Sequence, residues 1–130
     1  RCYHARAHGR HKDNCQFVCE DDPDGMPLLT ADGTPFLRVN GIQTQSESYI
    51  CLVREMAELV AMGIRHLRLM PQSVDMVAVA ETFRACLDGK IDSEEALAQL
   101  SETCAQTRFS NGFFHRVAGH RMVAGSMPVS

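Results

Sequence analysis

The sequence contains no apolar run approaching the ~20 residues that a membrane helix needs, so no membrane insertion is expected. It lacks a basic surplus: 13 Lys and Arg stand against 16 Asp and Glu, a formal net charge of -3. That balance argues against nucleic-acid binding through a broad cationic face. It has no Gly-x-Ser-x-Gly elbow, no His-Glu-x-x-His, no Walker loop and no dinucleotide fingerprint. No serine, threonine or cysteine has an obvious base partner, so the residues give hydrolytic catalysis no support. No basic-then-apolar leader opens the chain, and a cytoplasmic location is expected. Six cysteines in 130 residues are too few for a short disulfide scaffold.

What is present is ordinary globular composition. Hydrophobic residues make up 45% and charged residues 22%, which opposes a disordered chain and allows one modest core. The first methionine is Met26, and the expectation is a piece of a longer protein.

Residues 1–25 are polar, hold three cysteines and three histidines, and predict an irregular segment with at most a short strand at the start. Residues 26–40 predict a hairpin turned at Asp32-Gly33, with Asn40-Gly41 ending the second strand. Tyr49, Leu52, Val53, Met56, Leu59 and Val60 recur at helical spacing and predict a helix over 46–62, capped by Thr44 with Glu47 and ended by Gly63. Residues 64–70 read as a strand stopped by Pro71. A second helix is expected from about Ser73 to Leu87, and a third from Asp92. Strand, helix and strand then form a βαβ unit in a parallel sheet. Residues 26–122 are therefore expected to be the closing part of a larger α/β domain, and 123–130 a Gly/Ser/Pro tail. In such folds ligands gather at the C-terminal ends of strands. Asn40–Thr44 and Arg68–Gln72 are the candidate loops, although the commoner explanation is that Gly41 and Pro71 end strands and Gln43 and Thr44 cap a helix.

The cysteines carry the most specific signal. Cys2, Cys15 and Cys19 lie within nineteen residues, with spacing Cys-x12-Cys-x3-Cys. Thiolates are soft anionic ligands suited to zinc or an iron–sulfur cluster. Arg1, Arg6, Arg10 and Lys12 offset the accumulated negative charge. Spacing alone leaves a metal or cluster, a disulfide and unligated thiols open. A zinc would need a fourth ligand from His4, His8 or His11, which otherwise read as solvated loop residues. His66 reads as a strand histidine, buried and hydrogen-bonded. Cys86 and Cys104 fall on apolar helix faces and read as small hydrophobes, while Cys51 lies off the apolar face of its helix.

Several segments resemble the U32 peptidase-like family, in its anaerobic ubiquinone-biosynthesis branch. These are Arg1-Cys2-Tyr3-His4-Ala5-Arg6, Lys12-Asp13, the cysteine spacing, Val39-Asn40-Gly41-Ile42-Gln43-Thr44 and Arg68-Leu69-Met70-Pro71-Gln72. Phe83-Arg84-Ala85, Asn111-Gly112-Phe113 and Arg116-Val117-Ala118-Gly119 complete the set. The resemblance implies the C-terminal part of a TIM-barrel-like domain. It implies a [4Fe-4S] cluster with Cys2, Cys15 and Cys19 as three of its four ligands, the fourth lying outside this segment. It further implies a heterodimer with a UbiU-like protein, assisted by a sterol-carrier-like accessory protein, in oxygen-independent ring hydroxylation with prephenate as oxygen source. By the same resemblance the chain is a hydroxylase component rather than a peptidase. Two other readings stand beside it: a U32-type protease, and a zinc-stapled structural or RNA-modification accessory module.

Overall fold

The computed structural model describes residues 1–124. The expected tail, 123–130, lies outside the described residues from position 125 onward. The chain divides into two compact units, Arg1–Glu47 and Ser48–Ser130.

The first unit opens with helix α1 (Tyr3–Ala7), where an irregular or extended start was expected. Cys2 makes the helix possible: it sits in extended backbone as the N-cap, and its Sγ accepts from the Ala5 amide at 3.4 Å. Gly9, at φ +67°, ends the helix in the left-handed conformation that glycine adopts without steric cost. Two 3-10 turns follow, Lys12–Asn14 and Val18–Asp21. Strands β1 (Met26–Leu29) and β2 (Pro35–Asn40) then form the expected hairpin, pairing antiparallel with Met26 opposite Val39. Asn40-Gly41 does end β2, but the chain reverses there. Gly41 at φ +59° opens a two-residue turn, and β3 (Gln43–Ser46) returns along β2 with Gln43 opposite Asn40. Arg38 on β2 pairs with Glu47, its Nη2 donating to Oε1 at 3.1 Å. Thr44 is thus a strand residue and Glu47 an ion-pair partner, so neither caps a helix.

The second unit begins with β4 (Tyr49–Ile50), which pairs in parallel with β5 (Phe109–Ser110). Tyr49 donates to the Arg108 carbonyl at 2.8 Å and Cys51 to that of Ser110 at 2.9 Å. Between them lie α2 (Met56–Ala61), α3 (Met76–Leu87) and α4 (Ser93–Thr103). Helix α2 is shorter than expected because residues 49–53 run extended: Cys51 and Val53 alternate into the core at strand period. Gly63, at φ +89°, ends α2 as expected. Residues 64–70 form no strand; Ile64 and Leu67 are exposed and His66 is solvated. Asp75 caps α3, accepting from Val77 and Ala78, and Asp92 caps α4, accepting from Glu94 and Glu95. Cys51, Val53, Met56, Val79, Ala96, Leu100 and Cys104 form the core.

The barrel expectation is therefore overturned. The described residues make a small mixed α/β chain with four helices, a three-stranded antiparallel sheet and a two-stranded parallel pair. They close no barrel, and the expected βαβ unit does not form. The physical reason is that β2 is already paired on both sides by β1 and β3, so no ladder is left for a parallel neighbour. The candidate loop Asn40–Thr44 is a hairpin turn rather than the mouth of a parallel sheet, and Arg68–Gln72 follows no strand.

Three substitutions test this packing. Leu100→Ala in the buried core is expected to cost about 2–5 kcal/mol in chemical denaturation. At Gly112 an added Cβ would stand 2.1 Å from the Ala118 carbonyl oxygen, whereas at Gly119 it would meet only the ring of exposed Phe113. Gly112→Ala is therefore expected to destabilise by about 3 kcal/mol, and Gly119→Ala by under ~1 kcal/mol because the ring can swing away.

Candidate functional site

The six cysteines divide equally between the two units. Cys51 and Cys104 are buried in the core of the second unit, and Cys86 packs against that core. Burial pushes all three thiols above their ordinary range. This agrees with the hydrophobic role expected of Cys86 and Cys104. It corrects the placement of Cys51, which lies in the core, next to β4, and on no helix. Cys2, Cys15 and Cys19 are all in the first unit, and each is half-buried with a free thiol.

Local structure holds each of these three. Cys2 is anchored as the α1 cap. Cys15 ends the first 3-10 turn, and its carbonyl accepts from Arg10 Nη1 at 3.3 Å and from the Val18 amide at 3.3 Å. Cys19 lies in the second 3-10 turn and accepts the Asp22 amide at 3.3 Å. Between Cys15 and Cys19 the backbone passes through two successive left-handed residues, Gln16 at φ 50° and Phe17 at φ 52°. Neither is glycine, and such conformations cost about 1 kcal/mol or more each. Phe17 is 68% exposed, so apolar burial does not hold it there.

Among the described residues, the compact group of three metal-type ligands is His4, His8 and Asp22, not the three sulfurs. The thiols are therefore not drawn together to the span of a single ion. A cubane cluster spreads its thiolates farther apart than one ion does, because each binds a different iron.

His4 departs from the solvated state expected of it. Its ring is fully buried, with Nδ1 3.3 Å from the Val39 carbonyl and Nε2 2.9 Å from Asp22 Oδ2. The helix amide of His4 also donates to the Gly41 carbonyl at 3.3 Å, so α1 is docked on the end of β2. Spacing could not reveal this pair, since its members are eighteen residues apart.

A second polar constellation lies in the second unit. Glu55 is 6% exposed, and its Oε1 accepts from Asn111 Nδ2 at 2.8 Å and His115 Nε2 at 2.7 Å. Its Oε2 is buried and takes no hydrogen bond. Asn111 also brackets the Val123 backbone, donating to its carbonyl and accepting its amide at 2.6 Å. Asn111-Gly112 thus has a structural role: the amide nitrogens of both residues donate to the Arg121 carbonyl. Asn111 stands in a segment the sequence singles out, whereas Glu55 and His115 are sixty residues apart and no local pattern marks them. A cavity of about 340 Å³ lies beside Asn111, lined by Ile50, Leu52 and Phe114 among others.

Thiol labelling checks the division between the cysteines. A neutral alkylating reagent on the metal-free chain is expected to modify Cys2, Cys15 and Cys19 at least ~10-fold faster than Cys51 and Cys104, with the difference lost in denaturant. Mass-spectrometric mapping reads the sites; equal rates in the folded chain would contradict it.

No family model matches this chain, and no solved structure matches it.

Proposed function

We propose that the chain is the cluster-binding C-terminal part of a UbiV-like protein of the U32 peptidase-like family. In this reading it serves oxygen-independent ring hydroxylation in ubiquinone biosynthesis, in the cytoplasm, beside a UbiU-like partner and a sterol-carrier-like accessory protein. One observation carries the proposal. The three cysteines in the Cys-x12-Cys-x3-Cys spacing lie half-buried in one unit, while Cys51, Cys86 and Cys104 lie in the other, Cys51 and Cys104 buried in its core and half-buried Cys86 packed against it.

Cys2, Cys15 and Cys19 would hold three irons of a [4Fe-4S] cluster, with the fourth ligand supplied from outside residues 1–130. The cluster, when bound, supplies one-electron redox chemistry. The chain's own contribution is to hold it and set its charge. The Ala5 amide donates to Cys2 Sγ and would hold that ligand in place, and Arg1, Arg6, Arg10 and Lys12 of the same segment would offset the charge of a bound cluster. No helix among the described residues is long and apolar enough to cross a membrane. Partner binding has support in the second unit, where Leu67, Met70, Val77 and Leu87 are exposed beside a groove of about 870 Å³. The donor set favours this reading over a single zinc held by the same thiols, which would need sulfurs converging on one ion.

The test is anaerobic reconstitution with iron and sulfide in the presence of the partner. Visible absorption and matched iron and sulfide content are expected, and Cys2→Ala, Cys15→Ala or Cys19→Ala abolishes them. Cys86→Ala and Cys104→Ala keep full iron content and cost roughly 1 kcal/mol of stability. Equal iron loss in both groups would reject the assignment, as would zinc without sulfide in the purified complex.

A further inference from the structure

The cluster reading leaves a buried histidine, its stacked neighbour and their carboxylate unused. His4 and His8 lie one helical turn apart on α1. Their rings are nearly parallel, with centroids 5.3 Å apart and planes 4° from coplanar orientation. Each Nδ1 faces a backbone carbonyl: His4 toward Val39 at 3.3 Å, and His8 toward the His4 carbonyl at 3.0 Å. A carbonyl only accepts, so each Nδ1 carries the proton, and in a neutral ring each Nε2 presents a lone pair. The Nε2 of His4 then faces Asp22 Oδ2, a second lone-pair donor, at 2.9 Å. Two acceptors held that close need a positive centre shared between them. A proton is one solution; a metal ion is the other, and it also gives His8 a partner.

We propose that His4, His8 and Asp22 form a site for a single divalent transition-metal ion of the zinc or iron(II) class. The ligand atoms already lie within 4.8 Å of one another. With metal–ligand bonds of about 2.0–2.1 Å, neighbouring ligands sit about 3.0–3.4 Å apart. The His4–Asp22 spacing is nearly there, and the exposed His8 ring has room to close the remainder. Two imidazoles and one carboxylate suit zinc and ferrous iron, and exclude the hard all-oxygen preference of magnesium and calcium. The Nδ1–H to carbonyl bonds are the outer contacts that orient ligating histidines. His4 is fully buried and Asp22 is 33% exposed, so the remaining coordination positions open on the His8 side, toward solvent. The site uses no thiol and does not depend on the cluster.

The test titrates zinc(II), and separately iron(II) under anaerobic conditions, into the chain and into a Cys15→Ala/Cys19→Ala variant. A competing chromophoric chelator reads affinity, and elemental analysis reads stoichiometry. One ion per chain is expected in both proteins, for at least one of the two metals. His8→Ala and Asp22→Asn should each weaken binding at least about hundredfold, with unchanged circular dichroism. His8 is exposed and Asn keeps a hydrogen-bonding group beside His4, so both variants are expected to fold. Cobalt(II) in the site should show no thiolate charge-transfer band. Binding that survives His8→Ala and Asp22→Asn, binding lost only with the cysteines, or no binding of either metal would overturn the proposal. Because Cys15→Ala removes cluster sulfide and leaves this ion in place, failure of one assignment is read separately from failure of the other.

Discussion

The first unit is organised around a buried imidazole rather than an apolar core. Its buried hydrophobic residues are Ala5, Val18 and Val39, too little surface to fix three strands, a short helix and two tight turns. The His4 side chain stands among them, and its cost of desolvation is met only because both ring nitrogens have partners. Those partners come from different parts of the unit: the Val39 carbonyl on β2 and the Asp22 carboxylate after the second 3-10 turn. One side chain therefore sets where α1 lies on the sheet and where the turn containing Cys19 is held. The candidate ligand segment inherits its order from this contact, since Cys2 precedes His4 by two residues and Cys19 precedes Asp22 by three.

The second unit uses the opposite arrangement, with an apolar core flanked by a polar clasp. Leu100, Val53 and Met56 supply the burial, while Arg54 and Glu55, adjacent in sequence, turn to different tasks. Arg54 reaches across to α4 and grips Glu94 through two nitrogens, at 2.6 and 2.5 Å. That pairing holds the Glu94 carboxyl below the usual carboxylate range and raises the guanidinium further. Glu55 instead turns inward to Asn111 and His115. The start of the unit is thus tied both to its helices and to its closing segment.

What the sequence made legible follows the strength of local signals. Helices α3 and α4 were readable because each has an apolar face and an aspartate that takes two amide hydrogens at its start. The first hairpin was readable from Asp32-Gly33. The second was not, because Gln43–Ser46 is polar on both faces and carries no alternation. Residues 49–53 misled for a different reason: Tyr49, Leu52 and Val53 satisfy a helical period, while Cys51 and Val53 satisfy a strand period. Pairing with Phe109-Ser110 decided between them. In the candidate site, the cysteine pattern was visible as spacing. The charge pairs were not, since Asp22 and His115 acquire their meaning only from residues brought to them by folding.

The parallel ladder between β4 and β5 pairs the opening strand of the second unit with residues sixty positions later, after all three of its helices. Closing so long a loop carries an entropic cost that two residues of ladder do little to offset by themselves. The ladder therefore depends on the docking of α3 and α4, which shortens the effective connection. Without it Glu55 has neither Asn111 nor His115, and the Cys51 amide lacks its partner in the Ser110 carbonyl. The polar clasp and the covering of the Cys51 thiol thus stand or fall with the same two-residue ladder.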